Sequence, residues 1–105
     1  MEQLGIVLVT ASSEAEAKLI ASALVEARLA ACVTTFPVHS VYRWQDKIHH
    51  DSEFQLVIKT DLTLFSALST KVSELHSYDV PEIVAIAITN GSAPYLSWMK
   101  AQTAE

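Results

Sequence analysis

Cys32, His76 and Glu82 are the side chains in this sequence with the most evident chemistry. Cys32 is the single cysteine; as a thiolate it would be a soft metal ligand or a redox-sensitive thiol. Its simpler reading is a small core hydrophobe, which free cysteines usually are. His76 opens the stretch His76-Ser77-Tyr78-Asp79-Val80-Pro81-Glu82. An imidazole followed closely by a carboxylate supplies one nitrogen and one oxygen donor for a metal, or a base and an acid. A histidine at that place also suits the last carbonyls of a helix. A second run, His49-His50-Asp51, could hold a surface metal, against the simpler reading of a solvated polar turn. Glu53 and Lys59 fall on one face of a strand, where they could pair or bind an anion.

Other chemistries are missing. There is no GxGxxG and no GxxxxGK[ST], so neither a dinucleotide fold nor a P-loop is signalled. No CxxC occurs, and the basic-aromatic strand motif of an RNA-reading sheet is absent. No nucleophile with an orienting partner can be named, so the expectation is a binding protein and not an enzyme.

The elements that must position these residues are legible in the periodicity. Leu4 to Thr10 is a short aliphatic run, hence a strand. Ser13 and Glu16 have capping-box spacing, and Leu19, Ile20, Ala23, Leu24 and Ala27 recur at helical spacing to about Arg28. Ala31 to Trp44 reads as a long extended segment interrupted by Pro37, Gln45 to Asp51 as a polar turn, and Ser52 to Thr60 as the return strand. A second helix is expected from Asp61 to about Leu75, with Leu64, Phe65, Leu68, Val72 and Leu75 as its apolar stripe. Ile83 to Thr89 is a strand, Asn90-Gly91 a turn, and Ser92 caps a short helix with Pro94 in its first turn. The order is βαββαβ plus a terminal helix. It predicts an α+β, ferredoxin-like sandwich with a long hairpin between its second and third strands and an extra C-terminal helix, in one domain spanning 1–105.

Bulk properties narrow the setting. The chain has 105 residues, half of them hydrophobic, which is enough for a core without disulfides. Its formal net charge of -5 argues against nucleic acid and against an anionic membrane. A lone cysteine fits a reducing compartment, and Met1 to Gly5 bring no basic segment before an apolar run, so the cytoplasm is expected.

One pattern disagrees with a solitary subunit. Two helices cover only one face of a four-stranded sheet, so the other face should be polar. Yet Ile6 and Leu8 oppose Val7 and Val9, and Val84, Ile86 and Ile88 oppose Ile83, Ala85 and Ala87. Apolar residues on both faces predict a homo-oligomer whose open faces pack together; the other possibility is that the terminal helix folds back and covers that face alone.

The residues also carry a family likeness. Ala31-Cys32-Val33, then Pro37, Ser40, Tyr42 and Trp44, then Lys47-Ile48, Glu53 and Lys59-Thr60, resemble the CutA divalent-cation-tolerance family. His76, Tyr78, Pro81-Glu82-Ile83, Tyr95 and Trp98 continue the pattern over the whole chain. The resemblance implies a tight homotrimer, similar in architecture to the PII signalling proteins, with clefts between subunits. It implies binding of copper or another divalent cation, with Cys32, His76 and Glu82 as metal candidates and no organic cofactor. It places Lys59, Tyr42 and Trp44 along the cleft, where a small-molecule effector is the alternative ligand. Two departures stand out. Thr34 replaces the family's asparagine after Ala-Cys-Val, and Gln45-Asp46-Lys47 replaces a glycine-containing turn, so the hairpin tip must be built without glycine.

Overall fold

The computed structural model describes residues 3–103. Met1 and Glu2, part of the argument against a leader, lie outside the described residues.

The chain runs β1 (Leu4–Ala11), α1 (Glu14–Glu26), β2 (Cys32–Trp44), β3 (Lys47–Asp61), a 3-10 turn (Leu62–Leu64), α2 (Phe65–Leu75), β4 (Val84–Ala87) and α3 (Ala93–Gln102). One antiparallel sheet has the strand order β2-β3-β1-β4. With α1 and α2 on one face, this is the expected ferredoxin-like arrangement.

Local chemistry accounts for the boundaries. Ser13 caps α1, its hydroxyl accepting the Glu16 amide at 3.1 Å. The Glu16 carboxylate reaches Ser12 instead of closing the box on Ser13. The helix stops at Glu26, two residues short of the expected end, because Arg28 takes a left-handed φ of 59°. Asp61 caps the 3-10 turn through the Thr63 amide at 2.9 Å, so α2 proper begins only at Phe65. Ser92 sits at the N-cap of α3 but makes no side-chain cap bond. The last strand is shorter than Ile83–Thr89, with Val84–Ala87 alone in the ladder.

The hairpin turn differs most from expectation. It is only Gln45-Asp46, with φ of 51° and 64°, and Lys47 already pairs with Trp44. Two successive left-handed residues make the two-residue turn that matches strand twist. The segment from Lys47 to Asp51, read above as turn, is strand.

The core lies between the helices and one sheet face. Val7, Val9, Leu56 and Ile58 pack against Ile20, Leu24, Leu68 and Val72, all fully buried. Each such side chain contributes about 1.5–3 kcal/mol over leaving it exposed. Gly5 belongs to this face by register, opposite Thr60 and Ala87. A Cβ there would lie 2.5 Å from Leu62 Cδ1 and 2.7 Å from the Ile86 carbonyl oxygen, so the close approach requires glycine.

The second face is covered only at one end. Met99 of α3 packs with Leu4 and Ala31, and Lys100 reaches Asp61 at 3.9 Å. Beyond that, Ile6 pairs with Ile86 and Leu8 with Val84, and Val84 and Ile86 are 49% and 51% exposed. The terminal helix therefore does not cover this apolar face alone.

The β2–β3 hairpin outruns its neighbours. β3 pairs with β1 only from Phe54 to Asp61, while β2 and β3 stay paired to Trp44 and Lys47. The residues beyond form a two-stranded ribbon. The radius of gyration is accordingly 14.2 Å, against about 13 Å for a compact chain of this length.

Candidate functional site

A cleft of about 620 Å³ opens where the ribbon leaves the sheet. Its walls are Ser40, Val41, Tyr42 and Trp44 from β2, Glu53 from β3, Thr10 from β1, and Tyr78, Asp79, Val80 and Glu82 from the loop before β4. Alternation along the strands selects most of these residues, Val41 excepted. Ser40, Tyr42 and Trp44 share one face of β2, and that face continues through Asp51 and Glu53 on β3.

Two phenol–carboxylate hydrogen bonds organise the cleft. The Tyr78 hydroxyl donates to Glu53 Oε2 at 2.6 Å, and the Tyr42 hydroxyl donates to Asp51. Burial, then the bond to Glu53, pushes the Tyr78 phenol far above its ordinary range. The bond to Asp51 is the largest cause raising Tyr42. The lining includes the carboxylates of Glu53, Asp79 and Glu82 and no lysine or arginine.

The loop wall is held from behind by His76 and Glu16. The His76 ring is fully buried. Its Nδ1 accepts the Tyr78 amide at 3.0 Å, so Nε2 carries the proton and donates to the Thr10 carbonyl at 2.7 Å. Glu16 accepts the Ser77 amide at 2.6 Å and the Ser12 amide and hydroxyl, both at 2.9 Å. Burial works to raise the Glu16 carboxyl, but the Ser12 and Ser77 donors outweigh it and hold it down at about 2.

The metal candidates stand apart within one subunit. Cys32 begins β2, opposite Lys59, half-buried on the open sheet face. Glu82 approaches Gln55 at 3.4 Å. Gln55 is four strand positions from Lys59, roughly 13 Å at 3.3 Å per residue. Both ring nitrogens of His76 are engaged by backbone groups. Among the described residues, no group of three or more His, Cys, Asp and Glu side chains is gathered in metal-holding geometry.

The cleft candidates divide. Tyr42 and Trp44 line it, whereas Lys59 lies toward α3, its Nζ 3.4 Å from the Tyr95 hydroxyl and 5.5 Å from that ring's centre. Lys59 is six positions from Glu53 on β3, roughly 20 Å, too far for the ion pair that their common face suggested. Asp51 was weighed only with His49 and His50, and Glu53 only with Lys59, while Asp79 and Glu16 were not singled out as site residues. For Glu53 and Asp51 the signal was present: once the turn is placed at Gln45-Asp46, register puts both on the face of Tyr42.

Comparison with known proteins settles the family. The family profile described as "CutA1 divalent ion tolerance protein" matches residues 5–102. The chain belongs to the CutA1 family. A relative from Thermus thermophilus, the divalent-cation tolerance protein CutA, is 48% identical over 99 residues, covering 93% of this chain and 96% of that protein. Protein CutA of Homo sapiens is 45% identical over 96 residues, covering 90% of this chain. The chain spans about half the length of that relative and of the chloroplastic CutA of Arabidopsis thaliana. Among solved CutA structures, the Thermus thermophilus protein superposes with a TM-score of 0.94 at 46% identity, covering 96% of this chain and 99% of that one. CutA1 of Oryza sativa gives 0.95 at 39% identity, covering 98% of this chain and 95% of that one. Among the described residues, no helix is long and apolar enough to cross a membrane.

Proposed function

We propose that this CutA1-family protein binds a divalent cation, copper first among them, and acts in tolerance of such ions as a cytoplasmic homotrimer. The observation that carries the cation reading is the charge of the cleft. Three carboxylates and two phenols line it with no cationic side chain, so its field attracts cations and repels anions. Glu82 is the proposed metal residue that stands there; Cys32, on the open sheet face, and His76, behind the loop, would join only across subunits or by loop rearrangement. Copper(II) heads the first-row divalent ions in affinity for nitrogen and oxygen donors alike. The trimer reading is supported by the uncovered apolar face around Ile6, Leu8, Val84 and Ile86.

Native mass spectrometry with and without copper tests both parts. Trimers that take up stoichiometric copper, and lose it in Glu82→Gln, support the reading. Metal uptake unchanged in Glu82→Gln, Cys32→Ser and His76→Ala alike would reject these three residues as the site.

A second reading, a PII-like signalling or scaffold trimer binding a small effector, is favoured by the aromatic part of the same cleft. Tyr42, Trp44 and Tyr78 offer ring surface suited to an organic ligand. A metabolite panel followed by thermal shift separates the two, because a ligand of the native state raises the melting temperature. A panel without any shift removes the effector reading.

A further inference from the structure

His39 and His50 stand side by side on the face of the ribbon that points away from the cleft. His39 is in register with Ser52 and His50 with Val41, so the two histidines are diagonal neighbours across the β2–β3 ladder. Diagonal cross-strand side chains lie within reach of one another when they are long or aromatic. Here the imidazole centroids are 5.7 Å apart, with the rings inclined at 36°. His49, adjacent in sequence, points to the other face and stacks on Tyr42 at 5.3 Å.

We propose that His39 and His50 form a two-imidazole site for a divalent transition-metal ion, copper(II) above nickel and zinc. With metal–nitrogen bonds of about 2.0–2.1 Å, an ion shared by two imidazoles separates their centres by roughly 4.5–6.5 Å. The observed spacing falls inside that range. Both side chains are exposed, so an ion can enter and water can complete its coordination. Imidazole suits copper, nickel and zinc and not magnesium or calcium, and the affinity order among the three follows the general series. The two strands hold the pair together, so little ordering is left for the metal to impose. Arg43 shares this face; two positions from Val41, the register partner of His50, it is the other diagonal neighbour of His50. Its charge weakens the site without occupying it. No third His, Cys, Asp or Glu joins the pair among the described residues, so the site is an open one that exchanges its ion.

This site is separate from Cys32, His76 and Glu82 and does not depend on the cleft reading. The test titrates the full chain with copper(II) alone in a non-chelating buffer. Affinity is read by calorimetry and ligand type by the nitrogen hyperfine pattern in electron paramagnetic resonance. His39→Gln and His50→Gln should each weaken one binding event at least tenfold and remove the two-imidazole signature. His49→Gln and Glu82→Gln should leave that event unchanged. Both histidines are exposed, so the variants should fold, which circular dichroism verifies. A His39→Gln/His50→Gln chain that keeps every wild-type binding event overturns the proposal, whatever Glu82→Gln does. Loss of binding in Glu82→Gln with the histidine variants unaffected likewise overturns it, while sustaining the cleft reading.

Discussion

The Tyr78 hydroxyl donates to Glu53 Oε2 over 2.6 Å and is that buried carboxylate's link to the loop before β4. Glu53 is only 6% exposed, although it lies on the sheet face away from the helices. Since burial and the carboxylate hold the phenol protonated, Tyr78 remains a donor throughout the accessible pH range. Tyr78→Phe removes the donor and leaves a buried charge short of a partner, costing about 1.5–3 kcal/mol. For a domain of this size that is a fall of roughly 5–15 °C in melting temperature. Removing both polar partners is the control. Tyr78→Phe/Glu53→Leu should recover much of the loss, and a double variant as unstable as the single would show that the bond is not its source.

Glu16 makes the loop's attachment sensitive to acid. Its carboxyl is held at about 2, from an ordinary 4.5, by the donors of Ser12 and Ser77. A group whose folded pKa is depressed contributes stability that is fully present above the unfolded value and is lost as pH falls through the folded one. The contribution is therefore complete above about 4.5 and disappears toward about 2. Glu16→Gln should cost on the order of 1–2 kcal/mol near neutral pH, allowing for partial solvent screening. Urea denaturation at stepped pH checks this. The gap between wild type and variant must narrow from pH 4.5 downward, and a constant gap would mean that Glu16 acts by packing alone.

Much of this architecture was legible because periodicity reports directly on burial. Ile20 and Leu24 in α1, Leu68 and Val72 in α2, and Leu56 and Ile58 in β3 all fell on the faces that became core. The two-sided apolar pattern of β1 and β4 likewise anticipated a sheet face that, among the described residues, α3 covers only at one end. The cleft was only half legible. Tyr42 and Trp44, which the resemblance set beside Lys59, line the cleft of the subunit, whereas Lys59 lies toward α3, six residues of extended strand from Glu53. Glu53 and Asp51 were weighed with Lys59 and with the neighbouring histidines, not with the tyrosines, because a turn of unusual composition hid the register. The bonds of His76 to the Thr10 carbonyl and the Tyr78 amide were not readable, because neither its tautomer nor its backbone partners leave a trace in sequence spacing.

That turn yields its own prediction. Gln45 and Asp46 both occupy left-handed conformations, which side chains with a Cβ adopt at a cost of roughly 1 kcal/mol or more. Aspartate tolerates the region better than glutamine, yet glycine at the second position is the preferred solution for such turns. Asp46→Gly should therefore raise stability by about 0.5–1 kcal/mol, less than the full strain because glycine loses more entropy on folding. Chemical denaturation would show a higher midpoint with an unchanged slope. A lowered midpoint would mean that the aspartate side chain itself supports the tip.

Ile86 offers the sharpest test of assembly. It pairs with Ile6 on the open face, is 51% exposed in the single subunit, and lies away from the end covered by α3. In an isolated subunit, Ile86→Lys is a surface change and should alter stability by no more than about 0.5 kcal/mol. In an assembly that packs these faces together, the same change buries an unpaired charge, which costs several kcal/mol at each copy. The variant should thus keep its circular dichroism spectrum while light scattering at micromolar concentration reports a shift from oligomer to monomer. An oligomer of unchanged mass would place the interface elsewhere, on the free edges of the ribbon. A wild-type protein already monomeric under those conditions would remove the oligomer from the proposed function and leave the cation cleft to be completed within one chain.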